Sequence, residues 1–171
     1  MRTILTSLIC LIVSPLSAEV IGNVEYHLPN QGQDWKIATE LQGSKNGDST
    51  TIVYIPEKES KQNAKEFFAV HTNDLPTNLL DKESLEKALE KAQFKFLDAK
   101  VQVKPIVIAG PSAFYEYTIN QGNQEKARGW LRVLSSPEKT VMLTYQTEQI
   151  DKIDQVRPTW MHILQSAKPV K

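Results

Sequence analysis

Alternating apolar and polar residues in the last third of the chain predict four consecutive β-strands. Successive side chains of a strand point to opposite faces, so this alternation is typical of strands with one buried face. Turn-forming residues separate the strands at 110–111, 121–123 and 135–138. Because such short connections join antiparallel neighbours, we expect an antiparallel meander. The predicted strands are 101–109, 113–120, 126–134 and 139–147.

The first half of the chain predicts three further strands with less regular connections. They cover residues 24–28, 35–41 and 50–55, and prolines follow the first and the third. The charged stretch that comes next leads into Phe67 and Phe68, and we expect a short helix or helical turn near 61–68. Residues 71–78 contain turn-forming Asn, Asp and Pro and are predicted to be a loop.

Two segments have the 3.6-residue apolar period of helices. The first covers residues 81–97: Asp81 can cap it, Leu80 and Leu85 can form a hydrophobic staple, and Glu83 can pair with Lys87. We expect this helix to cover a sheet. The second covers residues 150–167 and contains Pro158. Either this helix starts near residue 154 with the proline in its first turn, or it kinks at the proline.

Residues 1–18 have the pattern of a secretory signal peptide. Arg2 precedes a short apolar run, Pro15 interrupts that run, and Ala18 offers a cleavage site before Glu19. The run is shorter than the ~20 residues of a membrane-spanning helix, so no integral membrane segment is expected after cleavage. The alternatives are a buried N-terminal element, or lipidation at Cys10. We expect an exported protein, periplasmic or extracellular.

The remaining residues, 19–171, are predicted to form a single α+β domain. Lys and Arg number 20 and balance 20 Asp and Glu, with neither a basic excess nor a basic stripe, so nucleic acid is not an expected partner. Cys10, the sole cysteine, lies inside the predicted signal peptide. We therefore expect a disulfide-free domain held together by its core.

The order of strands, helix, meander and C-terminal helix resembles the PsbP-like superfamily. The resemblance covers residues 20–168 and rests on 110–117 (GPSAFYEY), 130–133 (WLRV), 141–145 (VMLTY) and 163–166 (ILQS). It implies an antiparallel β-sheet flanked by helices, an α/β/α sandwich. Members include the extrinsic photosystem II protein, a Ran-binding import factor and many exported bacterial proteins. Because the scaffold carries several functions, no catalytic residues transfer from it.

Conventional catalytic and metal-binding patterns are weak in this sequence. His27, His71 and His162 are predicted to lie on a strand, a loop and a helix, respectively. Glu25 and His27 share a strand face, but a metal site needs three or four ligands. Asp74 near His71 could form part of a hydrolase triad, but such a site also needs a nucleophilic serine on a strand-to-helix turn. Ser112 lies in an ordinary turn, Gly110-Pro111-Ser112. We expect no enzyme activity, no cofactor and no metal.

The meander offers one candidate binding surface, formed by Glu116, Arg128, Trp130 and Arg132. Strand alternation places these side chains on one face, together with Met142. The opposite face carries the predicted core residues Tyr115, Tyr117, Ile119, Leu131, Val133, Val141, Leu143 and Tyr145. Trp and Arg are enriched at binding hot spots. The alternative is that a helix, or the strand with Trp35, covers this face and the arginines pack on the indole.

Three functions follow as hypotheses. The first is an exported, non-enzymatic interaction or accessory module that binds a protein partner, and a flat exposed Arg/Trp surface would favour it. The second is a carrier of a small apolar ligand, which a pocket lined by Phe67, Phe68 and Trp160 would favour. The third is a hydrolase with a hidden site, which a His–carboxylate–Ser cluster would favour.

Overall fold

The computed structural model describes residues 19–21, 24–29, 34–43, 49–73, 81–92, 96 and 98–169. The predicted signal peptide, 1–18, lies outside the described residues, as do Asp74 and the staple residue Leu80. The described part contains ten strands, two α-helices and a 3-10 turn that precedes the second helix. The strands are β1 (Glu19–Ile21), β2 (Val24–Tyr26), β3 (Trp35–Gly43), β4 (Ser49–Pro56), β5 (Glu66–Asn73), β6 (Lys100–Ala109), β7 (Ser112–Gln121), β8 (Gln124–Ser135), β9 (Thr140–Thr147) and β10 (Lys168–Pro169); the helices are α1 (Lys82–Ala92) and α2 (Ile153–Ser166), and the 3-10 turn is Ile150–Lys152.

Seven of the strands form one antiparallel sheet, in the order β3-β4-β5-β9-β8-β7-β6. The four predicted meander strands are β6 to β9, and two tight hairpins join β6 to β7 and β7 to β8. Gly110 (φ 56°) and Gly122 (φ 59°) stand in these hairpins with the left-handed backbone that glycine adopts without a steric penalty. The local turn signals therefore predicted this part of the sheet correctly.

The segment that forms strand β5 was predicted wrongly. Phe67 and Phe68 belong to this strand rather than to a helical turn, and His71 lies in the strand rather than in a loop. The strand is central, because β4 pairs with one side and β9 with the other. Sheet pairing on both sides overrides the weak local signal of the charged stretch that precedes it. β1, β2 and β10 form a second, three-stranded sheet, of which only β2 was predicted.

Helix α1 has the predicted cap and the predicted buried face. The Ser84 backbone N–H donates to Asp81 Oδ2 over 2.9 Å, and the exposed Lys87–Glu83 pair is 2.6 Å long. Leu85 and Leu89 are buried against β6, β7 and β8. The helix thus packs on the sheet face that carries the odd-numbered residues of β7 and β8, because Tyr115, Tyr117, Ile119, Leu131 and Val133 belong to the same cluster.

Helix α2 packs on the other side of the same sheet. Ile153, Trp160, Ile163 and Leu164 are buried with residues of β2, β4, β5 and β9. The helix starts at Ile153, one residue from the predicted start, and continues through Pro158 in its second turn. Neither helix in the described part has the length and apolar character of a membrane-spanning helix. The described structure is of the α+β class.

Candidate functional site

The four residues of the predicted binding surface lie on one face of β7 and β8. The strand register places Glu116 opposite Trp130 and Thr118 opposite Arg128, and Arg132 follows two residues after the tryptophan. Leu131 belongs to the buried cluster on the opposite face, under α1. The predicted alternation of these two strands is therefore correct.

The alternation of β9 was predicted wrongly by one residue. Tyr145 pairs with Trp130 and Leu143 with Arg132, so both lie on the Trp130 face, as does Val141. Met142 packs with the opposite cluster instead. β9 is buried along both faces, since its polar residues Thr144 and Gln146 are buried as well. When both faces of a strand are buried, its sequence does not alternate between apolar and polar residues, so the sequence does not show which face a given residue occupies.

Helix α2 covers Trp130. The indole is 0% exposed and stacks on Tyr145 at 6.0 Å, and Tyr145 stacks on Trp160 of α2 at 4.1 Å. The Arg157 guanidinium stands 5.3 Å from the Trp130 ring centroid, which is a cation–π arrangement. Trp35 contributes as well, because its ring meets Trp160 edge-on at 5.2 Å. Of the two interpretations of this face, coverage by a helix is correct for Trp130, which cannot serve as an exposed anchor.

A cluster of ion pairs surrounds the covered indole and stays partly exposed. Glu116 accepts from Arg157 at 3.2 Å and lies 3.8 Å from Arg128. Arg128 in turn makes a two-point contact with Glu125, at 2.7 and 2.8 Å. This hydrogen bonding to Glu125 is the main reason why the pKa of Arg128 is raised. We call Glu116, Glu125, Arg128 and Arg157 the rim cluster.

Arg157 was not predicted as part of this surface. It lies in α2, three residues before Trp160, and its side chain reaches back across the sheet to Glu116 and also lies 3.6 Å from Asp154. The helical period places position 157 beside the apolar stripe of α2, and this signal could have been used. The target of the side chain depends on how α2 crosses the sheet, which the periodicity does not contain.

Arg132 has a structural task at the end of α2. Its guanidinium donates to the backbone carbonyl of Leu164 over 2.8 Å, and also to that of Gln165. The last carbonyls of a helix lack partners within the helix, and the last turn of α2 contains no basic residue of its own. Burial lowers the pKa of Arg132. This arginine links the C-terminal end of α2 to β8.

The histidines make local contacts. His27 Nε2 lies 3.5 Å from Glu25, which also pairs with Lys168 at 3.6 Å. His71 Nδ1 shares a hydrogen bond of 2.8 Å with Thr51 Oγ1, and burial lowers the pKa of His71.

No group of three or more His, Cys, Asp or Glu side chains placed to hold a metal ion occurs among the described residues. His162 is exposed on α2, and Ser112 Oγ accepts a long hydrogen bond of 3.4 Å from Arg132. The suggested partnership of His71 with Asp74 involves a residue outside the described ranges.

The pocket suggested for an apolar ligand is not formed by its three predicted residues. Phe68 stacks on Trp160 at 5.4 Å, so these two rings fill the space between sheet and helix themselves. Phe67 is the preceding residue of the same strand and points to the opposite face. Tyr26 and Tyr54 complete the packing around Phe68 at 5.5 and 6.0 Å.

The fold of the chain is PsbP-like, as the sequence resemblance predicted. The solution structure of cyanobacterial PsbP (CyanoP) from Synechocystis sp. PCC 6803 matches with a TM-score of 0.59 and 17% identity, over 86% of each chain. A crystal structure of LpqN, a protein involved in cell envelope biogenesis of Mycobacterium tuberculosis, matches with a TM-score of 0.39 and 8% identity, over 94% of this chain and 88% of that one. No protein-family model and no curated protein sequence matches the chain. At 17% identity the likeness to cyanobacterial PsbP is one of fold.

Proposed function

We propose that this protein is an exported, non-enzymatic accessory module that binds a protein partner. Residues 19–171 form its single α+β domain, with the sheet as the middle layer of an α/β/α sandwich. The rim cluster faces the partner; Glu116 and Arg128 belong to the predicted binding surface, and the structure adds Glu125 and Arg157. Trp130 and Arg132 support this surface from within, by packing under α2 and by fixing the end of that helix.

The observation that carries this proposal is the partial exposure of a linked set of charges on a sheet that α2 covers. The side chains of Arg128 and Glu116 keep 27% and 18% of their area exposed while they contact each other. An isolated surface ion pair contributes little to stability. Charged groups held in place at the edge of a covered aromatic layer can instead give a partner specificity and orientation.

The packing between α2 and the sheet supports a binding module over a ligand carrier. Phe68, Tyr145 and Trp160 stack on one another at 5.4 and 4.1 Å. A carrier needs a concave apolar cavity that is open to its ligand. Here aromatic rings of the chain itself occupy the interval between helix and strands, so the surface is the better candidate for function.

The export part of the proposal is supported by the pattern of residues 1–18. It is tested by N-terminal sequencing of the protein purified from its native cells. We expect the mature chain to begin at Glu19 or within a few residues of it. A mature protein that begins at Met1 and stays in the cytosol would contradict export, and would leave the proposed binding surface untouched.

The binding part is tested by chemical cross-linking and affinity capture from the native envelope or culture medium. We expect Arg128→Ala to lose the captured partner while its Tm stays within a few degrees of the wild-type value. Lys87→Ala is the matched control, because it also removes an ion pair with a glutamate, on exposed α1. Unchanged capture by Arg128→Ala would exclude the rim cluster as the binding surface.

A further inference from the structure

Strand β6 ends the seven-stranded sheet, and its two halves differ in how their outer edge is treated. In the described part of the chain β6 pairs only with β7, so one row of its backbone groups faces away from the sheet. An uncovered edge of this kind is a template for another strand, and proteins usually block it.

The first half of β6 is blocked by helix α1 and by a proline. The outward backbone N–H of Val103 donates to Glu86 Oε1 over 2.8 Å, and that of Val101 donates to Glu90 Oε1 over 3.2 Å. The next position of the same alternation is Pro105, which has no N–H to offer. No additional strand can pair along this half without displacing the two carboxylates.

The second half of β6 is open and apolar. The register with β7 shifts by one residue between Pro105 and Val107. Beyond this bulge the backbone N–H and C=O of Ile108 are the groups that point away from β7. Ile106, Val107 and Ile108 are 38%, 53% and 57% exposed, although they are consecutive large apolar side chains. A contiguous apolar exposure beside an unpaired ladder is typical of an interaction site.

A cation stands at the blocked end of this open segment. Lys104 is exposed and lies opposite Glu116 in the strand register. Glu116 is already engaged by Arg128 and Arg157, and Lys104 has no ion-pair partner within the described ranges. The open segment therefore joins the rim cluster through a lysine that is available for a carboxylate from outside.

We propose that the open half of β6 binds an extended segment of the partner as an eighth, antiparallel strand. The segment carries β-branched or other apolar residues opposite residues 106–108, and a carboxylate on its C-terminal side that reaches Lys104. Every strand pair of the sheet is antiparallel, so the added strand would run from Ile108 towards Lys104. The partner residue that follows the apolar ones would then lie beside Lys104. This inference rests on the proposed function, since it names the edge at which the partner binds.

Charge favours a partner segment over a second copy of β6. A two-fold pairing centred on Val107 would place Lys104 of each copy beside the hairpin glycine, Gly110, of the other. Lys104 and Lys100 are the charged residues of this strand, so a second β6 brings positive charge and no carboxylate. An extended segment with acidic residues supplies the missing opposite charge.

The test is titration of the purified protein with a defined peptide, read by isothermal titration calorimetry. The probe is acetyl-Ser-Val-Thr-Ile-Thr-Val-Asp-Asp-amide, and the control peptide ends in Lys-Lys instead of Asp-Asp. We expect saturable binding of the acidic probe by about 1 mM and binding of the control that is about tenfold weaker. In parallel, the backbone N–H of Ile108 should become protected from hydrogen exchange, which surface adsorption would not achieve.

Variants on the two edges of the sheet decide between this strand and a general affinity for peptides. Ile108→Lys should weaken the acidic probe by about tenfold or more. Leu41→Lys is the matched control, because Leu41 is 60% exposed on β3, the other edge strand, and its replacement should leave binding unchanged. Lys104→Glu should exchange the preference, so that the peptide ending in Lys-Lys binds more tightly than the acidic probe.

Three results obtained with the purified protein would overturn the proposal: no binding by 1 mM peptide, equal loss in Ile108→Lys and Leu41→Lys, or a dimer in solution that Ile108→Lys dissociates. The last result would assign the edge to a second copy. A native partner that is captured by wild type and Ile108→Lys alike would refute the edge while the proposed function stands. Failure of the proposed function itself would appear as the absence of any captured partner.

Discussion

Gly129 is the position at which a single added methyl group tests the register beneath the candidate site. This glycine of β8 pairs with Gln146, and a Cβ at residue 129 would stand 2.0 Å from the Tyr145 carbonyl oxygen and 2.8 Å from the Tyr117 ring. The ring could shift by rotation. The carbonyl is backbone in the next strand, so β8 and β9 would have to separate by about 1 Å before the contact becomes tolerable.

The magnitude follows from that separation. Overpacking a buried site costs about 1–3 kcal/mol, and weakened ladder hydrogen bonds add roughly 0.5–1.5 kcal/mol each. We expect Gly129→Ala to lower the free energy of unfolding by about 3 kcal/mol, a fall in Tm of roughly 6–12 °C for a chain of this size. Because Trp130 pairs with Tyr145, the same separation would loosen the stack under α2.

Gly122→Ala is the matched control for this experiment. Gly122 has a φ of 59° but nothing within 4 Å of its ideal Cβ, so alanine there meets only backbone strain of about 1–2 kcal/mol. Both variants would be compared with wild type by urea unfolding monitored by circular dichroism. The comparison of free energies requires that the fitted m-values agree. If Gly129→Ala is no more destabilising than Gly122→Ala, then Gly129 does not face the Tyr145 carbonyl, and the assigned register of β8 and β9 is wrong.

Four further predictions use the same unfolding measurements. Trp130→Ala should cost about 3–5 kcal/mol as a large buried truncation, and a Tm within a few degrees of wild type would contradict its burial under α2. Arg132→Ala should cost roughly 1.5–3 kcal/mol because the last carbonyls of α2 lose a charged donor, and an unchanged stability would refute that capping role. Burial lowers the pKa of His71, so the unfolded state binds a proton at this side chain more readily than the folded state. The free energy of unfolding should therefore be highest above the ordinary histidine pKa of 6.5 and fall as the pH drops below it. His71→Asn should make the free energy of unfolding less dependent on pH in that range. Leu131→Ala should cost about 2–5 kcal/mol and Glu83→Ala only a few tenths, and similar costs would contradict the assignment of buried and exposed faces.

Local patterns were sufficient for the strand positions of the meander and for the cap and buried face of α1. The hairpins depend on turn residues that adjoin their strands, and the Asp81 cap depends on a residue three positions away. Glu116, Arg128, Trp130 and Arg132 could be placed on one face because β7 and β8 alternate clearly. These features depend on neighbours in sequence, and the sequence therefore determined them.

Which residues of that face are covered was decided by packing between distant segments. α2 covers Trp130 and brings Arg157 to Glu116 across 41 residues of sequence, and neither contact leaves a trace in local alternation. β9 is buried along both faces, so its burial does not favour one face and periodicity misread it. β5 alternates in burial, but its pairing with β4 and β9 overrides the charged stretch from which a helical turn was predicted.

The edge of β6 shows the same division within one strand. Its apolar run and its proline are visible in the sequence, which predicts a strand that stops at Gly110. Only the tertiary structure places Glu86 and Glu90 of α1 against its first half and leaves Ile108 open beyond the bulge. Secondary structure is governed by short-range sterics and hydrogen bonds, whereas exposure depends on which distant surfaces meet, and exposure selects the candidate site.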